Sequence, residues 1–486
     1  MEVATLSTSL YVLGYAFGPI LWGPLSELEG RRLPIVIGMF GFSIFNLAVA
    51  VSKDIQTLMI SRFFCGLFGS CPLAVVAAVY TDIFDNKQRG PAVTVFAATV
   101  FMGPLLGPFI GGFVASSYLG WRWTAYISSI MGWLSFGLIV LFLKESYPPV
   151  VLVAKAAELR RRTKNWGIHA KQEEVEVDLK ELVTKNFSRP IRLLFTEPVI
   201  LLVTIYMSFI YGLLYLFLTA YPLVFQGVHH MSPGVGGLPF FGMVVGLFIV
   251  ATYIVWSAGG YNKKLAANGG APVPEWRLPP VIIGGALFAV GLFWFGWTGY
   301  TRNIHWIVPT LSGLLTGFGI LAIFIQLFNY IIDSYLMLYV APPASSSDLV
   351  SSPTLLNSQL ISLLPLSSAA SAIAGNTFLR SIAAAGFPLF ARQMFNSMGI
   401  QYAGTLLGCV AVLLIPIPVG FYMYGRKLRE RSRFSPTMGD KPPLHEDSTT
   451  DEEEGGGNLR GTGTRETERT NGRGEPGADG DLEKKS

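Results

Sequence analysis

Apolar runs long enough to cross a lipid bilayer recur along this chain, and no other feature restricts its fold as strongly. A spanning helix needs about 20 predominantly apolar residues. Such runs fall near 4–25, 33–51, 56–80, 91–115, 124–143, 198–225, 235–257, 280–299, 305–332, 369–391 and 402–424. Inside hydrocarbon every backbone amide must find its partner within the chain, so runs of this length fold as helices. An all-α membrane protein with eleven spans is therefore predicted. Composition agrees: 51% of the 486 residues are hydrophobic and only 14% charged, too few charges to cover a soluble surface of this size. Cys65, Cys71 and Cys409 all sit in apolar runs and offer neither a disulfide framework nor zinc spacing.

A polar stretch carrying Arg160, Arg161, Arg162, Lys164 and the Glu173–Glu174 pair divides the spans into two blocks, as in a duplicated transporter with a central loop. The domain plan is a first helix bundle at 1–143, a cytosolic loop at 144–195, a second bundle at 196–424 and a charged tail at 425–486. The tail has no apolar periodicity and is predicted to be disordered. Alternating sides from Gly30 puts Arg31, Arg32, Lys87, Arg89, Lys263, Lys264, Arg277, Arg426, Lys427, Arg429, Arg431 and Arg433 in the cytosol. Only Lys53, Arg122, Arg302 and Arg392 then lie outside, which fixes the orientation by the positive-inside rule. The first run follows an acidic Glu2 and reaches full span length, unlike a signal peptide. Eleven spans and a cytosolic C-terminus put the N-terminus outside, so loss of one leading helix from an even-spanning ancestor is expected.

Three motifs carry mechanism. The first is Gly23-Pro24-Leu25-Ser26-Glu27-Leu28-Glu29-Gly30-Arg31-Arg32, where Glu27 and Arg31 can pair at i, i+4 if the helix continues. The second is Arg62, within Ser61-Arg62-Phe63-Phe64-Cys65-Gly66. An arginine two turns into a membrane helix is costly and faces a cavity or a partner, unless it reaches back to the interface. The third is Gly103-Pro104-Leu105-Leu106-Gly107-Pro108-Phe109-Ile110-Gly111-Gly112. Four-residue glycine spacing permits close helix approach, and Pro108 removes a backbone bond and bends the helix.

These segments resemble the signatures of the major facilitator superfamily. The first matches G-x-L-x-D-x-x-G-R-R between its second and third helices. That resemblance implies an inner-gate charge network of Gly23, Glu27, Gly30, Arg31 and Arg32, completed by an acid ending the fourth helix, where Asp82 stands. Leu28 and Glu29 depart from the pattern. Arg62 matches the family's R-x-x-x-G motif, which implies a part in proton coupling. Gly103, Gly107, Pro108, Gly111 and Gly112 match G-x-x-x-G-P-x-x-G-G, a mark of its antiporters. With Trp121-Arg122-Trp123, Lys144-Glu145-Ser146-Tyr147-Pro148-Pro149 and Arg189-Pro190-Ile191-Arg192-Leu193-Leu194, the chain is similar over 1–436 to the twelve-helix drug:proton antiporters of fungi, which export drugs, toxins or polyamines. The resemblance places Met1–Pro24 on the second family helix.

It implies proton-coupled export of small hydrophobic or cationic compounds by alternating access, with substrate and protons as partners and the bilayer as setting. Neither a cofactor, a metal nor nucleic acid is expected, and a monomer in the plasma membrane is, with the vacuolar membrane as alternative. Transporter sites lie near the midplane between repeats. Candidates there are Tyr11 and Tyr15, Tyr211 and Tyr215 at i, i+4, Gln326, Asn329, Asn376 and Arg380, the aromatics suiting flat cargo and cation–π contact. Residues 338–368 are Ser- and Leu-rich with Asp348 as the sole charge. This insert is atypical for the family and reads as a retained intron or a regulatory loop. An enzyme would need His, Asp or Glu clustered at membrane depth, and no such cluster appears. An inactive truncated relative or a non-transporting sensor is the alternative reading.

Overall fold

The computed structural model describes residues 2–84, 86–170, 173, 188, 190–268, 273–336 and 354–430, and these contain helices and no strand. The first bundle comprises α1 (Glu2–Leu28), α2 (Arg32–Val51), α3 (Ile55–Gly69), α4 (Cys71–Ile83), α5 (Asn86–Ser116) and α6 (Arg122–Phe142). Helices α3 and α4 form one rod interrupted at Ser70, where Pro72 opens the new helix and cannot donate backward. A connecting helix, α7 (Pro148–Thr163), starts on its own prolines and ends in Arg160, Arg161 and Arg162. Cations suit a helix C-terminus, so the polar loop predicted at 144–195 contains a helix.

The second bundle comprises α8 (Pro198–Tyr221), which runs into a π-helical turn at Pro222–Val228, then α9 (Phe240–Ala267), α10 (Pro279–Gly299), α11 (Ile307–Leu336), α12 (Thr354–Met398), α13 (Ile400–Leu414) and α14 (Pro416–Glu430). Pro416 splits the last rod, which continues beyond the predicted end of the last span. Each of the eleven predicted spans is a helical rod. Nine of these, among the described residues, are long and apolar enough to cross a membrane. The remaining two, α1 and α12, are diluted by Ser7, Thr8, Ser9, Tyr11 and Tyr15, and by Asn376, Thr377, Arg380 and Ser381. Polar residues at membrane depth belong on helices that face other helices.

Packing order repeats between the bundles. In the first, α3 packs on α1 and α2, and α2 on α6; in the second, α11 packs on α9 and α10, and α10 on α13. Within the second bundle α8 also packs along α12, and among the described residues α8 has no counterpart in the first. Of its most apolar window, α8 buries 78%, against 17% for α6, so α8 is a central rod and α6 a lipid-facing one. Ile130, Leu134, Leu141 and Phe142 of α6 and Phe248 and Trp256 of α9 are exposed, an apolar belt that only a lipid environment accommodates.

The bundles meet along two helix pairs, α1 with α12 and α5 with α9. Phe17 meets Phe378 edge-on at 5.9 Å in the first pair, and Phe109 meets Phe241 at 5.2 Å in the second. Of the insert predicted at 338–368, residues 338–353 lie outside the described residues, and 354–368 continue as the start of α12. The predicted tail lies outside them from 431 onward.

Candidate functional site

Arg31 is the hub of a charge network at the basic end of the first bundle. Helix α1 stops at Leu28 and Gly30 takes φ +89°, a left-handed conformation that glycine enters without strain. This turn overrides the predicted Glu27–Arg31 pair. With the helix ended between them the two side chains form no ion pair within 4 Å, although the Arg31 charge still acts on the Glu27 carboxyl from further off. Arg31, buried, instead sends Nε to Asp82 Oδ2 at 3.1 Å and Nη1 to Ser26 Oγ at 2.9 Å, with its guanidinium 4.5 Å from the Tyr147 ring centre.

Glu145 completes the network, although the sequence singled it out only within the Lys144–Pro149 segment. Its carboxylate accepts the backbone N–H of Arg31 at 2.8 Å, Arg32 at 3.0 Å, Ser146 at 3.0 Å and Tyr147 at 2.9 Å. Burial alone would raise this carboxyl's pKa. The donors of Arg31, Tyr147, Arg32 and Ser146 outweigh burial and hold it below its ordinary value. A side chain at position 30 would strike Glu145 Oε2, so Gly30 is required by space as well as by its φ. Arg32 adds a bond from Nη2 to the Val140 carbonyl at 3.1 Å. Gly23 has open space around it, so its presence reflects no contact there.

A matching cluster closes the same end of the second bundle. Arg277 Nε bonds Asp333 Oδ2 at 2.9 Å, the Tyr261 hydroxyl donates to the same oxygen at 3.2 Å, and the guanidinium lies 3.8 Å from the Tyr261 ring centre. Each bundle thus ends in an Arg–Asp pair capped by a tyrosine face. A basic loop residue ahead of one span and an acid ending another were the only signals of the second pair.

The glycine motif of α5 behaves differently from its prediction. Among the described residues nothing lies within 4 Å of a Cβ placed on Gly103, Gly107 or Gly111, so their spacing seats no helix there. Gly112 is the close one: its Cβ would stand 2.5 Å from the Pro233 carbonyl oxygen, in the loop after α8. Pro108 lies within α5 together with Pro91 and Pro104. On α3, Gly66 lets the backbone of Tyr11 approach so closely that any Cβ would collide with its carbonyl. Arg62 lies one turn away on that face, half-buried, with its Nε lacking a hydrogen-bond partner.

At mid-depth, where the bundles join, α12 aims Arg380 between rings. Its guanidinium carbon lies 4.9 Å from the Tyr211 ring centre on α8 and 4.7 Å from that of Phe324 on α11. Phe101 of α5 packs edge-on against Phe324 at 4.7 Å and Tyr211 at 6.1 Å, and Tyr215 flanks Tyr211 at 5.3 Å. Tyr11 and Tyr15 of α1 share a 3.3 Å hydroxyl contact, and Tyr15 lies within electrostatic reach of Tyr211. Asn376, one turn before Arg380, donates to Met207 Sδ at 3.3 Å and leaves its Oδ1 unpaired. Five helices from both bundles thus meet at one cluster, and Tyr211, Tyr215, Asn376 and Arg380 gather there. Gln326 is buried with Oε1 unpaired and Asn329 is half-buried. At about 100° per residue neither shares the Phe324 face of α11. Phe101 and Phe324 were missed because a phenylalanine in a membrane helix reads as packing.

Two bundles of spanning helices around a shared mid-depth site define a membrane transporter. The chain belongs to the major facilitator superfamily: the family model Major Facilitator Superfamily matches residues 2–352. An uncharacterized transporter of Schizosaccharomyces pombe is 52% identical over 89% of this chain and 75% of its own length. The major facilitator superfamily multidrug transporter FLU1 of Candida albicans is 46% identical over 89% of this chain and 66% of its own length. Among solved structures, the xylose transporter XylE from E. coli, in a partially occluded inward open conformation, superposes with TM-score 0.55 at 17% identity over 87% of each chain. That likeness carries the fold. This is a multi-pass membrane protein from a family of transporters, not of enzymes, that carry small molecules.

Proposed function

We propose that this chain exports small hydrophobic compounds from the cytosol, driven by protons moving inward, through alternating access of its two bundles. The observation that carries the reading is the Tyr211–Phe324–Arg380 cluster of the second bundle together with Phe101 of the first, which packs on it at their junction. A site made from both halves changes shape when the halves rock, which is what alternating access requires. The similarity to a protein named as a multidrug transporter supports drugs or toxins as cargo. The Arg31–Asp82–Glu145 network and the Arg277–Asp333 pair each brace one bundle at the basic end, so the bundles move as rigid bodies. The plasma membrane is the proposed site of action, with the protein working as a monomer.

Arg62 is the proposed coupling residue, since its unpaired Nε lies at membrane depth among packed helices. Efflux of a hydrophobic dye from cells expressing Arg62→Ala is expected to fall to the level of cells lacking the protein, with surface expression unchanged. Normal efflux by this variant refutes the assignment.

A further inference from the structure

The central cluster holds a fixed positive charge with no counter-charge among the described residues. Arg380 is 3% exposed, and neither its Nε nor its Nη1 has a hydrogen-bond partner among the described residues. No described carboxylate pairs with it. Among the described residues, the acids of the second bundle, Glu197, Glu275, Asp333 and Glu430, all stand at helix ends or in loops. Stabilisation comes instead from the faces of Tyr211 and Phe324. Cation–π contact offsets only part of the desolvation of a buried guanidinium. The same two contacts bear on cargo: those ring faces are already taken by a cation of the protein itself. A cationic compound entering here would meet like charge at short range and no acid among the described residues.

We infer that this site selects flat aromatic compounds bearing a carboxylate, which pairs with Arg380 while the ring packs against Tyr215 and the edges of Tyr211 and Phe324. The inference rests on reading the cluster as the substrate site. Guanidinium presents its donors in a planar fork that matches a carboxylate's two oxygens. Asn376 sits one helical turn away on the same face of α12 and completes a polar strip beside the rings. A ligand carboxylate supplies the acceptor that the unpaired Nε and Nη1 lack, so pairing recovers part of what burying the charge cost.

Calorimetric titration of the purified full chain with three naphthalene derivatives tests this near neutral pH: 2-naphthoate, its primary amide and 2-naphthylmethylammonium. Hydrogen bonds to charged groups contribute about 1.5–3 kcal/mol, so naphthoate is expected to bind at least about tenfold tighter than the amide, and the ammonium weakest. Arg380→Gln is expected to abolish the preference, and Arg380→Lys to keep part of it. Equal affinities, preference for the ammonium, no binding by any of the three, or a preference that survives Arg380→Gln overturns the inference. If the glutamine variant does not fold, the three affinities of the unaltered protein decide alone. Dye flux measured with the same protein separates the two readings. Flux without acid preference sinks only this inference, whereas acid preference without flux sinks the export reading.

Discussion

Replacing Glu145 by alanine removes the acceptor of four backbone N–H groups at once. Two of the four, from Arg31 and Arg32, tie the α1–α2 turn to the end of α6 at 2.8 and 3.0 Å. The other two are local to Ser146 and Tyr147, and water replaces them readily. Each cross-chain bond to a charged acceptor contributes about 1.5–3 kcal/mol when well shielded. The carboxylate sits at the aqueous edge, so the pair together is worth roughly 2–3 kcal/mol after solvent competition. At about 2–4 °C per kcal/mol for a large domain, the unfolding midpoint should drop by roughly 4–12 °C.

Scanning fluorimetry of the protein in detergent measures this directly. The pH dependence supplies a second check. Because folding holds this carboxyl below its ordinary value near 4.5, its contribution is fully present above that value and is lost as pH falls through the folded pKa. The gap between wild type and Glu145→Gln should therefore stay constant above about pH 5.5 and close under stronger acid. An unchanged midpoint for Glu145→Ala, or a gap that persists in strong acid, refutes the reasoning.

Arg277→Ala leaves Asp333 and the Tyr261 hydroxyl without their cation. It should cost roughly 1–3 kcal/mol, read as a lower midpoint, while Arg277→Ala combined with Asp333→Ala should cost less than the sum of the single changes. Gly112→Val puts a side chain against the Pro233 carbonyl and should reduce dye efflux severalfold by holding the ends of the bundles apart. Gly107→Ala enters open space and should leave folding within about 0.5 kcal/mol of wild type.

Much of the architecture was legible because membrane helices announce themselves by length and polarity. Every predicted span is a helical rod, and Asp82 lies 3.1 Å from Arg31. The errors are local and physical. Glu27 and Arg31 look like a helical pair until Gly30 adopts positive φ and ends the helix. Glycine spacing on α5 defines a face but not what occupies it, and only Gly112 meets a neighbour closely. Glu145 lies 114 residues from Arg31, and Arg277 lies 56 from Asp333; separations of that size leave no periodic trace in a single sequence. The tyrosines of α8 suggested a cation-binding surface, yet one of the rings involved is held by Arg380. Pattern places a side chain on a helix face, whereas the partner across from it is set by the tertiary fold.

Flux in reconstituted liposomes tests the central claim most directly. Vesicles carrying the protein are loaded with a hydrophobic fluorescent dye on the side of the basic loops, and a pH gradient is imposed with the opposite side acidic. The account predicts dye movement toward the acidic side against its own gradient, stopped by a protonophore and absent in Arg62→Ala vesicles. Movement indifferent to the pH gradient, or no faster than in protein-free vesicles, contradicts it.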